Sequence, residues 1–164
     1  YTHESYYGNP EFDKYPLVFR TWDDANAYCT WVSRRMPTEA EWEKAARGTD
    51  GRKYPWGNAE PNATLLNYKS NVGDTTEVGK YPAGASVYGA LDMSGNATEW
   101  VAGLEAPYPY DAKDGRENMK TENARIIIRG GAWGDYDTYI YSAHRDWLYN
   151  TDTGYYLGFR CARD

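Results

Sequence analysis

The chain has 164 residues and a formal net charge of −6, with 24 acidic residues against 18 lysines and arginines. This length indicates one domain that can bury roughly two-thirds of its unfolded surface. The acidic balance excludes a nucleic-acid partner, which needs clustered basic side chains, and no apolar run approaches the length of about 20 residues that spans a bilayer.

Two short helices are predicted in the first third of the chain. The first begins near Asp23 or Asp24, which are good N-caps, and ends ahead of Pro37. The second begins with the capping box TEAE at residues 38–41, in which the side chains of the first and last residue satisfy each other's backbone amides. Gly48 ends this helix, and turns and short segments dominate the chain beyond it.

Three extended segments are predicted in the rest of the chain, at residues 97–101, 126–129 and 157–162. Residues 101–124, which separate the first two, form a long polar loop. No internal repeat or low-complexity tract interrupts the chain, so residues 1–164 are interpreted as a single domain. The residues alone leave open whether Cys29 and Cys161 are buried thiols or form a disulfide.

The composition changes sharply at residues 134–156, here called the binding segment. It holds six tyrosines and four aspartates in 23 residues, but no Lys, Glu, Gln or Met. Tyrosine with short polar residues is typical of adaptable binding loops, because it gives large amphipathic contact area with few rotatable bonds. We therefore predict a ligand-binding surface held between two strands. The expected contact residues are Asp135, Tyr136, Asp137, Tyr139, Ile140, Tyr141, His144, Asp146, Tyr149, Tyr155 and Tyr156.

Five short motifs follow one another along the chain. They are RMPTEAEWE at residues 35–43, YPWGN at 54–58, YGALDMSGNATEW at 88–100, RGG at 129–131 and LGFR at 157–160. Together they resemble the formylglycine-generating enzyme (sulfatase-modifying factor) family, a variant of the C-type lectin fold. The resemblance implies an α+β, C-type-lectin-like domain with two helices, a small twisted antiparallel sheet and much irregular structure. The N-terminal part of the family domain is expected to be missing.

The resemblance also bears on redox metals. Enzymes of the family bind copper through two cysteines five residues apart, and the matching positions here are Asp135 and Ile140. Copper(I) prefers soft sulfur ligands, so no copper is expected. A zinc site is excluded for lack of ligands, since His3 and His144 are the only histidines and the two cysteines are far apart in the chain.

Structural calcium and a disulfide are further implications of the resemblance. The two cysteines match a pair that forms a structural disulfide in some members, which implies a bond between Cys29 and Cys161. Calcium takes hard oxygen ligands. The groups that match the calcium loop of the enzymes are the side chains of Asp92 and Glu99 and the carbonyls of Gly95 and Ala97. A second matching set consists of Asn67, the Tyr68 carbonyl and Asp74.

The same motifs also enclose the mutagenised segment of the variable proteins of diversity-generating retroelements, which this chain resembles most. There, randomised template adenines turn Asn codons into a restricted set that lacks Lys, Glu, Gln, Met and Trp. The binding segment contains one residue outside that set, Trp147. This resemblance implies a non-catalytic display protein. The alternatives are a formylglycine-generating-enzyme-like or iron-dependent oxidoreductase relative, and a non-diversified accessory domain. The sequence does not distinguish a protein, a glycan and a cell-wall component as the ligand. It also does not give the location of the protein, and the cell surface and the extracellular space are both among the possibilities.

Overall fold

The computed structural model describes residue 6, residues 8–120 and residues 123–164, so His3 lies outside the described residues. Within these residues no helix is long and apolar enough to cross a membrane. Two single-turn 3-10 helices, Pro10–Phe12 and Pro82–Gly84, lie in loops. The other regular elements are α1 (Trp22–Trp31), α2 (Glu39–Arg47), β1 (Thr98–Leu104), β2 (Arg125–Arg129), β3 (Arg145–Tyr149) and β4 (Leu157–Phe159).

Both predicted helices are present, and each begins with a capping box. In α2 the Thr38 Oγ1 accepts from the Glu41 amide at 3.2 Å and the Glu41 carboxylate accepts from the Thr38 amide at 2.9 Å, as predicted. The start of α1 differs from the prediction. Its N-cap is Thr21, and Asp24 is the residue that reaches back to the Thr21 amide. An aspartate three residues inside a helix was therefore mistaken for the cap itself.

The strands form one sheet in the order β3-β2-β1-β4. β2 runs antiparallel to both β1 and β3, but β4 runs parallel to β1, so the sheet is mixed where an antiparallel sheet was expected. The reason is topological. The chain leaves β3 at one edge and crosses to the opposite edge, so no hairpin forces β4 to reverse its direction relative to β1.

β3 itself was missing from the predicted strands, because residues 145–149 lie inside the binding segment and have only partly buried side chains. The strand pairs with β2 along its whole length, from Arg125 opposite Tyr149 to Arg129 opposite Arg145. The middle of the binding segment is therefore part of the sheet. Its flanking loops, not the whole segment, are irregular.

Aromatic side chains build much of the core, which has three clusters. α1 and the sheet enclose one that includes Trp22, Cys29 and Trp100, and α2 covers a second around Trp42. A third lies under the loops and contains Ile140. The predicted disulfide is present, with an S–S distance of 1.99 Å between Cys29 and Cys161. It ties α1 to the chain just beyond β4.

Candidate ligand-binding site

A cavity of about 530 Å³ opens beside β3 and is here called the β3 cavity. Its volume lies in the range of pockets that hold small molecules or single side chains of a partner. The binding segment supplies nine of its sixteen lining residues, and the rest come from the sheet and the adjoining loops. The lining consists of Ser70, Thr98, Ile128, Arg129, Gly131, Ala132, Trp133, Gly134, Asp135, Tyr139, His144, Asp146, Trp147, Leu148, Tyr155 and Tyr156.

Aromatic rings form much of the cavity wall. Trp133 and Tyr155 have ring centroids 5.7 Å apart, and Tyr155 meets Tyr156 edge to face at 5.4 Å. Tyr139 packs edge to face on His144 at 5.1 Å. Such rings offer an apolar body with a polar edge, and the contacts between them restrict their motion. The cavity is therefore lined by a partly preorganised aromatic surface.

The two carboxylates of the cavity are in different surroundings. Asp135 is half-buried and accepts a hydrogen bond from the Ala132 amide at 2.8 Å, and burial raises the pKa of its carboxyl group. Asp146 is exposed and accepts from the Trp147 amide at 2.8 Å. Burial lowers the pKa of His144, partly offset by the charge of Asp146, so this imidazole is neutral at pH 7.

A buried charge network supports the floor of the cavity. The Arg129 side chain is fully buried, with one guanidinium nitrogen 2.6 Å from Glu43 and another 3.6 Å from Glu39. Glu39 also accepts from Arg145 at 2.7 Å. The guanidinium of Arg129 further donates to the carbonyl of Ser142 at 3.1 Å. The two glutamates thus compensate the positive charge of Arg129, while the same arginine side chain positions the main chain of the binding segment.

The scaffold holds the binding segment largely through main-chain atoms of that segment. The Ser94 hydroxyl donates to the Ile140 carbonyl at 2.7 Å, and Gly131, with a φ of 68°, leaves so little space that a Cβ there would lie 2.8 Å from the Tyr139 carbonyl oxygen. Arg129 also donates to the carbonyl of Ala143 at 3.3 Å. Backbone hydrogen bonds join Lys69 to Asp135, Lys53 to Ser142, Thr98 to Tyr156, Phe19 to Gly154 and Trp22 to Asn150.

The structure brings a subset of the predicted contact residues to the β3 cavity. Six of the eleven line it, and one of these six, Tyr156, also packs against the core cluster of Trp22 and Trp100. The six are Asp135, Tyr139, His144, Asp146, Tyr155 and Tyr156.

Ile140 is a correction to the predicted contact surface. It is 0% exposed and belongs to the core cluster of Tyr54 and Leu66. An isoleucine flanked by tyrosines resembled another variable surface position, but its apolar side chain is the part of the segment that turns inward. Tyr141 also packs away from the cavity, with its ring 5.3 Å from that of Tyr54.

Three other predicted contact residues lie on the surface outside the cavity lining. Tyr136 is 68% exposed. Asp137 forms an ion pair with Lys69 at 2.8 Å, and Tyr149 packs edge to face against Trp147 at 5.5 Å. These residues extend the polar and aromatic surface beside the cavity. Their role in binding stays a prediction.

Several lining residues lie outside the predicted contact surface, because they belong to the sheet and its neighbouring motif. Trp133 follows the RGG motif, and Trp147 and Leu148 lie on β3. Ser70 comes from a loop far away in the chain, and nothing in its surroundings marks it. For Trp133, its place two residues after the glycine pair was a usable signal, whereas β3 has no regular alternation that would have marked Trp147 and Leu148.

The positions of the copper ligands do not fit that metal. Asp135 offers a carboxylate and Ile140 an alkyl group buried in the core. The two cysteines of the chain are bonded to each other. With no thiolate available at these positions, the soft ligand set that copper(I) requires cannot form.

The predicted calcium loop at Asp92, Gly95, Ala97 and Glu99 has its main carboxylate already occupied. Arg160 donates to both Glu99 oxygens at 2.6 Å, and the Trp42 indole donates to one of them at 2.7 Å. One Asp92 oxygen accepts from the Gly79 amide at 2.6 Å. A guanidinium group beside the site repels a divalent cation, so these residues do not fit calcium in this arrangement.

The second predicted set fits calcium better. Asn67 is 0% exposed, and its Oδ1 is a buried acceptor without a hydrogen-bond partner among the described residues. Its Nδ2 donates to the carbonyl of Asp74 at 2.7 Å, which brings residues 67 and 74 together. A buried acceptor left unpaired is costly, and a cation would satisfy it. Asn67, the Tyr68 carbonyl and Asp74 are therefore the groups that would hold calcium.

A family model described as "Sulfatase-modifying factor enzyme 1-like domain" matches residues 3–164. The chain belongs to this family. A hercynine oxygenase of Mycolicibacterium smegmatis is 33% identical over 160 residues, which cover 91% of this chain and 37% of the relative. The inactive C-alpha-formylglycine-generating enzyme 2 of Mus musculus is 38% identical over 164 residues, which cover 90% of this chain and 48% of the relative. The chain thus spans less than half the length of these two curated relatives.

The fold is C-type-lectin-like, as the motifs implied. Treponema denticola variable protein 1 superposes on the chain with a TM-score of 0.73 at 23% sequence identity. The match covers 93% of this chain and 72% of that structure. The family and the fold class expected from the sequence are both confirmed, with the parallel β1–β4 pair as the difference in detail.

Proposed function

We propose that this chain is a non-catalytic ligand-binding protein that displays residues 134–156 as a diversified surface. The observation that carries the proposal is the way the binding segment is held. Arg129, Ser94 and the neighbouring backbone bond to its main-chain atoms, which every residue type provides. Most side chains facing the β3 cavity can then change without loss of the hydrogen bonds that position the segment; Asp135, whose carboxylate accepts from the Ala132 amide, is an exception.

The relatives agree with such a role. One is named as an inactive formylglycine-generating enzyme, and a variable protein shares the fold at 93% coverage of this chain. The positions of the copper ligands hold Asp135 and the buried Ile140, which gives the family's copper chemistry no support. Surface substitutions away from special features usually change stability by less than about 0.5 kcal/mol, as a display surface requires.

A matched pair of libraries tests the proposal. The first mixes Tyr, Asp, Ser, Asn, Gly and His at Tyr139, His144, Asp146 and Tyr155. The second places the same mixture at an equal number of core positions. Both libraries are displayed on the surface of cells and treated with a protease that cleaves unfolded chains. We expect most members of the first library to remain intact and nearly all members of the second to be cleaved. Equal loss in both libraries would contradict the proposal. The core positions are Trp42, Trp100, Ile126 and Leu157.

The flanking DNA gives an independent test. A nearby repeat of the codons for residues 130–160 that differs only at template adenines would support diversification directly. With no such repeat, a non-diversified accessory domain with one fixed ligand would be the better interpretation. In that case the first library should also lose binding to the ligand at almost every changed position.

An iron-dependent oxidoreductase is the second candidate, because hercynine oxygenases are relatives at 33% identity. The cavity does hold His144 beside Asp135 and Asp146. Against this role, no group of three or more His, Cys, Asp or Glu side chains that could hold a metal exists among the residues that the structure describes. Iron binding measured by calorimetry, lost in His144→Gln but not in Tyr136→Ser, would favour the oxidoreductase.

A further inference from the structure

The charges that face the β3 cavity are mostly negative. Asp135 and Asp146 contribute carboxylates, and Arg129 is the one lysine or arginine in the lining. That guanidinium is fully buried and bound by Glu43 at 2.6 Å, so its charge is compensated within the protein. Lys69 lies close by but pairs with Asp137 at 2.8 Å. Among the residues that the structure describes, no other lysine or arginine lines the cavity, so the negative charge of its carboxylates is not neutralised from within the lining.

The same carboxylates lie among ring systems that attract cations. Trp133, Tyr139, Tyr155 and Tyr156 line the cavity beside Trp147, whose ring already has the Arg125 guanidinium 4.1 Å from its centroid. The face of an aromatic ring carries partial negative charge, and groups of such rings bind alkylammonium ions while rejecting anions. Aromatic rings next to a carboxylate combine this attraction with a formal opposite charge, which a neutral ligand of the same shape cannot exploit.

We infer that the β3 cavity binds an alkylammonium group, either a lysine side chain of a protein partner or the quaternary ammonium group of a small molecule. The inference rests on the proposed function, because it assigns a ligand class to the same cavity. Asp146 supplies the counter-charge at the exposed side of the cavity. The aromatic rings enclose the methylene or methyl groups of the ligand.

Indole N–H signals of the ¹⁵N-labelled protein provide the readout, since Trp133 and Trp147 line the cavity and Trp31 is exposed elsewhere. The probes form two pairs of a cation and a neutral compound of similar shape. The first pair is choline and 3,3-dimethylbutan-1-ol, and the second is N-acetyl-lysine methylamide and N-acetyl-norleucine methylamide. We expect saturable shifts of both cavity indoles with the two cations and binding at least about fivefold weaker with the neutral partners. Tighter binding of the lysine derivative points to a protein partner, and tighter binding of choline points to a small molecule.

Two variants with one control locate the recognition. Asp146→Asn keeps the oxygen that accepts from the Trp147 amide but removes the charge, and we expect it to weaken cation binding about three- to tenfold. Tyr155→Leu keeps the apolar bulk but removes the aromatic ring, so it should weaken the binding of the cationic probes by a similar factor and leave the binding of the neutral probes unchanged. Glu77→Gln removes the same charge from an exposed loop residue outside the cavity and should change neither.

Equal binding of neutral and cationic probes would overturn the inference, and so would shifts that Asp146→Asn leaves unchanged or an absence of shifts with all four probes. Each of these results is independent of the library test. If the cavity library folds and no cation binds, only the ligand class is wrong. If the cavity library fails to fold while cations bind, the display function is wrong and the alkylammonium site remains.

Discussion

At the scale of single residues, the binding segment contains two kinds of position. Ile140 and Ser142 are 0% exposed and fasten the segment to the core, whereas Tyr136 and Tyr139 are exposed. The difference follows from what surrounds each side chain and not from residue type, since Ile140 lies between two tyrosines. A change at a fastening position should therefore affect stability, while a change at an exposed position should affect the surface alone.

We expect Ile140→Ala to lower the free energy of unfolding by about 2–5 kcal/mol, because it leaves a cavity in the cluster of Tyr54 and Leu66. The matched control is Tyr136→Ser, which should change stability by less than about 0.5 kcal/mol because Tyr136 is 68% exposed. Urea unfolding followed by tryptophan fluorescence measures both. Similar losses in the two variants would mean that Ile140 is not a core residue.

Asp135 should make stability depend on pH. Burial raises the pKa of its carboxyl group in the folded state above the value in the unfolded chain, so the folded state holds its proton more firmly. The ionised carboxylate therefore lowers stability above this raised pKa, and the cost disappears as the pH falls through it towards the ordinary value of aspartate. Asp135→Asn should be more stable than the wild type at pH 7, with a difference that shrinks on acidification.

Urea unfolding of the wild type and Asp135→Asn at a series of pH values measures that difference. Glu77→Gln, which removes an exposed carboxylate, reports what the loss of any one negative charge does in this acidic chain. A stability gain in Asp135→Asn that is the same at every pH, or no larger than in the control, would show that desolvation of Asp135 does not destabilise the fold.

At the scale of elements, the binding segment depends on strands that are distant in the chain. β3 lies within the segment, and β4 follows it directly and pairs with β1 on the other side of the sheet. The disulfide joins α1 to the residue two positions after β4. The binding segment is thus attached to the sheet both within its length and at its C-terminal end.

The disulfide should stabilise the fold mainly by restricting the unfolded chain. Its cysteines are 132 residues apart, and the loop-entropy model gives about 4–5 kcal/mol for a ring of this size, an upper estimate in practice. The double variant Cys29→Ala/Cys161→Ala should lose up to that amount in urea unfolding. Wild type unfolded with a reducing agent is the control and should show the same loss. Equal stability with and without the bond would contradict the estimate.

At the scale of the whole molecule, the structure rests on buried polar groups as well as on apolar packing. Glu99 with Arg160, and Arg129 with Glu39 and Glu43, connect α2 and the sheet. Such groups are stabilising only when every partner is present. Several buried polar atoms lack a hydrogen-bond partner among the described residues, Arg129 Nε included, and Asn67 Oδ1 is the one that lies in a predicted calcium set. This orphaned oxygen is the reason to expect a cation.

We expect calcium to stabilise the whole molecule through Asn67 and Asp74. A ligand that binds only the folded state at a hundred times its dissociation constant adds about 2.7 kcal/mol to the free energy of unfolding. Thermal unfolding with calcium and with chelator measures the effect. Asn67→Ala should abolish the difference, while Asp92→Asn should retain it, because Glu99 is already bound by Arg160. If Asn67→Ala kept the stabilisation by calcium and Asp92→Asn lost it, calcium would bind at the 92–99 loop instead.

Both helices and the family could be predicted from local signals. The capping box at Thr38, the ordered motifs and the changed composition of residues 134–156 are all properties of neighbouring residues, which is why they can be read from the chain. Six of the eleven predicted contact residues reach the cavity for the same reason, since they belong to one continuous segment.

Only the tertiary structure decided the rest. The parallel direction of β4, the partners of Glu99, the inward turn of Ile140 and the arrival of Ser70 at the cavity all depend on contacts between residues far apart in the chain. Burial and charge pairing are properties of such contacts, and no local pattern specifies them. A sequence therefore shows which residues are suited to a binding surface, but packing determines which of them face the ligand.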